Sequence, residues 1–109
     1  MIKGILTDCG IPSRRARFPK PPAGTYAVYF DDVTTEGADP VPVAGVLPCT
    51  YTHDVSVELY EPHPDDAAEA AIEAALKARG IAWHKEDRYW LQDVQRYQVV
   101  YTFSYTSKN

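Results

Sequence analysis

Between residues 97 and 105 the chain sets Tyr97, Val99, Tyr101, Phe103 and Tyr105 at every second position, with Gln98, Thr102 and Ser104 between them. That period of two belongs to a β-strand with one buried face, not to a helix. Such a strand needs neighbours, because alone it satisfies neither its backbone nor its apolar face. The chain must therefore supply a sheet. Val55, Val57 and Leu59, alternating with Asp54, Ser56 and Glu58, give a second strand that extends back to Tyr51. Tyr26-Ala27-Val28-Tyr29-Phe30, rich in aromatic and β-branched residues and stopped by Asp31-Asp32, reads as a third. Ile81, Trp83 and Lys85 begin a fourth, and the polar stretch from Glu86 to Gln95 contains a turn.

Two segments carry the helical period instead. Ile2, Ile5, Leu6 and Cys9 fall on one stripe of a short helix ended by Gly10 and Pro12. After Pro62 and Pro64, Asp65-Asp66-Ala67-Ala68-Glu69 opens a second helix with carboxylates where the macrodipole favours them, and Lys77, Arg79 and Gly80 close it. Ala68, Ile72, Ala75 and Leu76 form its apolar stripe, and Glu69, Glu73 and Lys77 are assigned to the opposite, wet face. Residues 10–25, with Pro12, Pro19, Pro21 and Pro22, read as a stiff connection. Residues 32–48 read as a long irregular one, and long loops of this kind are usually functional.

The order is α-β-β-α-β-β. It predicts one α+β domain over residues 1–109, with a mainly antiparallel four-stranded sheet and helices packed on one face. At 109 residues and 45% apolar content there is material for one core. No segment approaches the roughly 18 apolar residues of a membrane span, so a soluble, cytosolic protein without membrane contact is expected. The net charge of −4 argues against a protein whose main task is to grip nucleic acid.

The groups that could carry chemistry have simpler readings. Cys9, Cys49, His53, His63 and His84 could ligate zinc, but structural zinc sites bring two close ligand pairs and only one loose pair occurs here. No metal or other cofactor is expected. Asp54 and Glu58 belong to the solvent side of a strand, and Asp65 and Asp66 to a helix cap, rather than to an acid–base pair. No serine sits in a nucleophile elbow. Arg14, Arg15 and Arg17, with Lys20, could meet an acidic partner surface or DNA phosphates. Tyr89 and Trp90, large aromatics in a polar turn, are candidate interface anchors. Val41, Val43, Val46 and Leu47 are too many apolar side chains for a freely solvated loop, which makes 32–48 a candidate intersubunit arm.

Read in order, several segments together resemble the siphophage tail-terminator family, also called tail completion or tail-to-head joining proteins. They are the first helix with Gly10-Ile11-Pro12; Phe18 and the prolines before Tyr26-Ala27-Val28-Tyr29; Gly37-Ala38-Asp39; Val57-Glu58-Leu59-Tyr60; Gly80-Ile81-Ala82-Trp83; and Tyr97 to Phe103. The resemblance covers nearly the whole chain and rests on order and spacing. It implies a non-catalytic subunit that forms a hexameric ring at the head-proximal end of the tail tube, halts its polymerisation and joins the tail to the head connector. The implied partners are other copies of the chain, the tail tube protein and the head completion or connector protein, with DNA passing in the lumen. The implied places are the host cytoplasm during assembly and then the virion tail. The three arginines of the 10–25 loop have no counterpart in the family pattern. Competing readings are a small non-catalytic ligand-binding or regulatory domain of ferredoxin-like appearance, and a small enzyme.

Overall fold

The computed structural model describes residues 2–36 and 50–108. In chain order they form α1 (Ile2–Asp8), β1 (Ser13–Arg15), β2 (Tyr26–Glu36), β3 (Thr50–Glu61), α2 (Asp66–Ala78), β4 (Trp83–Lys85), β5 (Tyr89–Leu91) and β6 (Arg96–Lys108). The α+β class holds, but the sheet is six-stranded and mixed. Its order is β1-β2-β3-β6-β4, with β5 also on β6, and β1 runs parallel to β2 while every other pair is antiparallel.

Three calculable features build this sheet. The β3–β6 register puts Val57 opposite Tyr101 and Leu59 opposite Val99, and the β2–β3 register adds Ala27 opposite Leu59. Both α-helices pack on that face, where Ile5, Leu6, Ile72, Leu76, Val57, Leu59, Val99 and Tyr101 are fully buried. Each helix ends the same way: Gly10 and Gly80 sit at φ 71° and 69°, and the following Ile11 and Ile81 donate back to Leu6 and Leu76. Only a residue without a Cβ takes that left-handed step at no cost, and the isoleucine after it then folds onto the core. Asp65 caps α2 by accepting from Ala68 N–H at 3.0 Å, and Thr25 holds the same carboxylate at 2.6 Å.

The departures from the sequence reading have local causes. β2 runs past Asp31-Asp32 because Asp31 pairs with His53 and Asp32 lies on the solvent face. The stiff connection contains β1, since Pro12 accepts from Ala27 N–H and Ala16 donates to Tyr29, closing a short parallel ladder. The polar stretch contains β5, paired with the start of β6 across residues 92–95. Glu69 is not on the wet face of α2: it is buried, at 4% exposure.

The helices cover only part of the sheet. Strands of 11, 12 and 13 residues reach roughly 40 Å, and the described residues have a long dimension of 56 Å. Above the row Asp31–Val55–Phe103 no described residue belongs to the core, and Val33 in the next row is 52% exposed. This distal part is a three-stranded ribbon of β2, β3 and β6.

Candidate functional site

The densest polar cluster lies between α2 and the sheet. Arg88, between β4 and β5, donates to Glu61 at 3.1 Å, to Glu69 at 2.5 Å and to Asp66 at 3.2 Å. Lys85 of β4 contacts Glu69 at 2.8 Å and Glu73 at 3.0 Å, and the Tyr101 hydroxyl donates to Glu73 at 2.6 Å. Burial, and the neighbouring Glu69 carboxylate, push Glu61 up to about 7. Burial opposes ionisation of Glu69 too, but hydrogen bonds from Glu61, Lys85 and Arg88 outweigh it and hold that group down. The two carboxyls titrate as a linked pair, Glu61 raised and Glu69 lowered, and Glu61 Oε2 is buried without a hydrogen-bond partner among the described residues. The cluster ties α2, β3, β4 and β6 together. Sequence reasoning missed it, although Glu61 continues the inward phase of Val55, Val57 and Leu59, and Glu69 precedes Ile72 by one helical turn.

A second constellation spans the ribbon. His53 Nδ1 lies 3.0 Å from Asp31 Oδ1, and its Nε2 lies 3.0 Å from Ser107 Oγ. A carboxylate only accepts, so Nδ1 carries a proton toward Asp31, and Nε2 shares a hydrogen bond with the serine hydroxyl. The ring stacks on Tyr105 at 4.3 Å. Ser–His–Asp order is also that of hydrolases, but a nucleophile needs convergent donors for an oxyanion. The N–H of Ser107 points instead into the ladder with β3, so the arrangement binds three strands to one another.

The sequence-derived candidates fall in three places. Arg14, Arg15 and Arg17 come together at the edge strand β1, where with Lys3, Phe18, Pro19 and Tyr29 they line an open concavity of ≈ 730 Å³. Tyr89 and Trp90 are consecutive in β5 and so face opposite ways. Tyr89 donates to Gln98 on the helix-free face, Trp90 meets Tyr97 edge-on at 4.9 Å, and the two remain 49% and 41% exposed. Val41, Val43, Val46 and Leu47 lie outside the described residues, as does Cys49. Among the described residues no three His, Cys, Asp or Glu side chains group as metal ligands, and no helix is long and apolar enough to cross a membrane.

The helix-free face is itself patterned. Phe18 meets Tyr26 edge-on at 5.5 Å, Tyr26 stacks on Tyr60 at 5.0 Å, and Gln98 links Tyr60 to Tyr89. Higher up, Phe30, Asp32, Asp54, Ser56, Thr102 and Ser104 line a second concavity of ≈ 380 Å³. Among the described residues the ribbon edges are open. Because Ala27 donates to Pro12 and Tyr29 accepts from Ala16, odd-numbered residues of β2 direct their backbone groups away from β3. Those of Val33 and Thr35 have no strand beside them among the described residues, since β1 pairs only with residues 27–29. Val100 accepts from Glu86, so even-numbered residues of β6 point outward, and Ser104 and Thr106 lie beyond the reach of β4.

The fold and these features define a two-layer α+β domain that displays its chemistry on sheet edges and faces. No family model matches the sequence. No curated protein matches it either. Among solved structures the chain is similar to one from a "Virion of native gene transfer agent (GTA) particle", with a TM-score of 0.60 and 18% identity, over 96% of this chain and 84% of that one. At that identity the likeness is one of fold.

Proposed function

We propose that the chain is a structural subunit of a phage-like virion, and within that class a tail terminator: a ring-forming protein that ends the tail tube and joins it to the head connector. The observation that carries this reading is the shared fold with a chain of a virion particle along 96% of this sequence. Assembly, not turnover, is then its task, with copies of itself, the tail tube protein and the connector protein as partners. The place is the host cytoplasm during assembly and the virion tail afterwards.

The open edges support the ring. A ring of identical subunits needs a heterologous contact, in which one surface meets a different surface of the next copy. The ribbon offers two unlike edges, β2 on one side and β6 on the other, and the two strands run in the same direction. Setting β2 of one copy against β6 of the next makes a parallel pair and removes both aggregation-prone edges. Six copies is the number the tail-terminator resemblance implies.

The test uses two substitutions that each remove one outward N–H and spare the ladder within the subunit, Val33→Pro and Thr106→Pro. Each variant should fold but fail to form rings, by native mass measurement with and without tail tubes. Rings of unchanged size and stability in both variants would end the edge-pairing reading. Failure of the wild-type protein to bind tail tubes would end the terminator reading.

A further inference from the structure

β1 is the outermost strand of the sheet and only three residues long, yet it is better equipped than an idle edge needs to be. In a parallel ladder the residue between two bonded positions turns its backbone groups outward. Arg14 therefore spends its N–H and C=O on β2, while Ser13 directs both groups, and Arg15 its N–H, away from the sheet. The side chains alternate as well. Arg14 lies on the helix-free face, 5.8 Å over the Phe18 ring, and Arg15 lies on the other face, lining a concavity with Ile2, Lys3 and Asp31. Ala16 then takes φ 66°, a conformation that costs a residue with a Cβ about 1 kcal/mol, and Arg17 N–H folds back onto Arg15 C=O at 2.7 Å. This turn keeps Arg17 beside the strand, where it lines the ≈ 730 Å³ concavity with Lys3, Arg14 and Arg15.

Among the described residues these cations meet no carboxylate, in a chain of net charge −4, and the Arg15 side chain donates only to the Asp31 carbonyl at 3.5 Å. Arg79, Lys85 and Arg88 each have a carboxylate within 4 Å, whereas Lys3, Arg14, Arg15 and Arg17 have none among the described residues. An exposed backbone edge flanked above and below by guanidinium groups calls for a ligand that brings both a backbone and alternating negative charge.

We propose that the outer edge of β1 is the docking site of an extended acidic peptide from another protein. It adds beside β1 as a further strand and sets its carboxylates alternately against Arg14 and Arg17 on one side and Arg15 and Lys3 on the other. Strand addition supplies main-chain hydrogen bonds, and the alternation of side chains supplies the selectivity for acid at every second position. Bidentate guanidinium–carboxylate pairing makes arginine suited to this task. A DNA duplex fits the edge less well. It offers no backbone donors in strand geometry, and its dense charge would lie over the acidic side chains Asp31, Asp32 and Glu58 of the adjoining strands. The proposal does not depend on ring formation, so it is tested on the isolated protein.

The probe is a fluorescently labelled eight-residue peptide alternating Asp with Val, titrated at low salt and followed by anisotropy. Comparison probes are the same peptide with N-methylated backbone, its Lys-for-Asp counterpart, and duplex DNA of matched charge. The acidic peptide should bind, and affinity should fall at least about tenfold for the N-methylated form and for an Arg14→Gln, Arg15→Gln, Arg17→Gln variant whose circular dichroism matches the wild type. The Lys peptide should not bind. No binding of the acidic peptide, equal binding by the N-methylated form, an unaffected triple variant, or tighter binding of the duplex would each overturn the proposal.

Discussion

Glu61 stands where the alternation of β3 delivers a side chain to the core, and it is fully buried there with a pKa pushed up to about 7 by burial and by Glu69. Below about pH 4.5 it is protonated in both the folded and the unfolded chain, so its contribution to stability is fully present. As pH rises toward 7 the folded state keeps a proton that the unfolded chain has released, and that contribution is lost. Glu69 behaves oppositely: its lowered pKa adds stability above about pH 4.5 that disappears as pH falls toward 2. Glu61→Gln keeps the size and polarity of the side chain but cannot ionise. Its stability relative to the wild type should therefore climb by on the order of 2 kcal/mol between pH 4.5 and 7.5. Urea unfolding of both proteins across that range measures it, and two parallel profiles would mean that Glu61 is already ionised in the fold.

Helix α2 shows how far periodicity reaches. Ile72 and Leu76 lie on the predicted stripe and are fully buried, and both ends of the helix match their capping residues. Ile72→Asp would set an unpaired carboxylate in the buried core, so a loss of about 4 kcal/mol, or outright unfolding, is expected from thermal melting. An unchanged melting temperature would remove α2 from the core. Glu69 is a departure from that pattern: its charge points to the wet face, yet it sits a turn before Ile72 and is buried. What buries it is Lys85 and Arg88, contributed from beyond the helix by a segment with no period of its own. β6 was legible since nine residues of alternation leave no other reading. β1 and β5 were not, because each is three residues long and owes its conformation to pairing with a distant or adjoining strand rather than to its own pattern. The arginine cluster was visible in the sequence, but its partner Lys3 and the outward backbone groups of β1 exist only once the parallel pairing is known.

At the scale of the whole molecule, the helices and core occupy one end of the sheet, and the other end is a ribbon whose last described rows pair Glu36 with Thr50 and Thr50 with Lys108. Residues 37–49, with Val41, Val43, Val46 and Leu47, join the two strands at that end. The arm expected over 32–48 cannot begin at 32, because 32–36 belong to β2, and the arm role proposed for the remaining segment can be separated from the edge pairing proposed for β2 and β6. Because Glu36 and Thr50 stand directly opposite, a two-residue Asn-Gly turn closes the hairpin in the same register, its positive-φ turn matching the twist of the strands. Replacing 37–49 with that turn should leave the melting temperature and circular dichroism close to those of the wild type, since among the described residues none above the Asp31 row is a buried core residue and only Tyr105 packs against the core from there. If the arm carries an asymmetric contact, the shortened protein will keep its fold and lose ring formation on tail tubes. If the edges suffice, it will still form rings, while Val33→Pro and Thr106→Pro will not. Normal tail capping and head joining by the shortened protein would exclude the arm and leave the ribbon edges as the contact between copies.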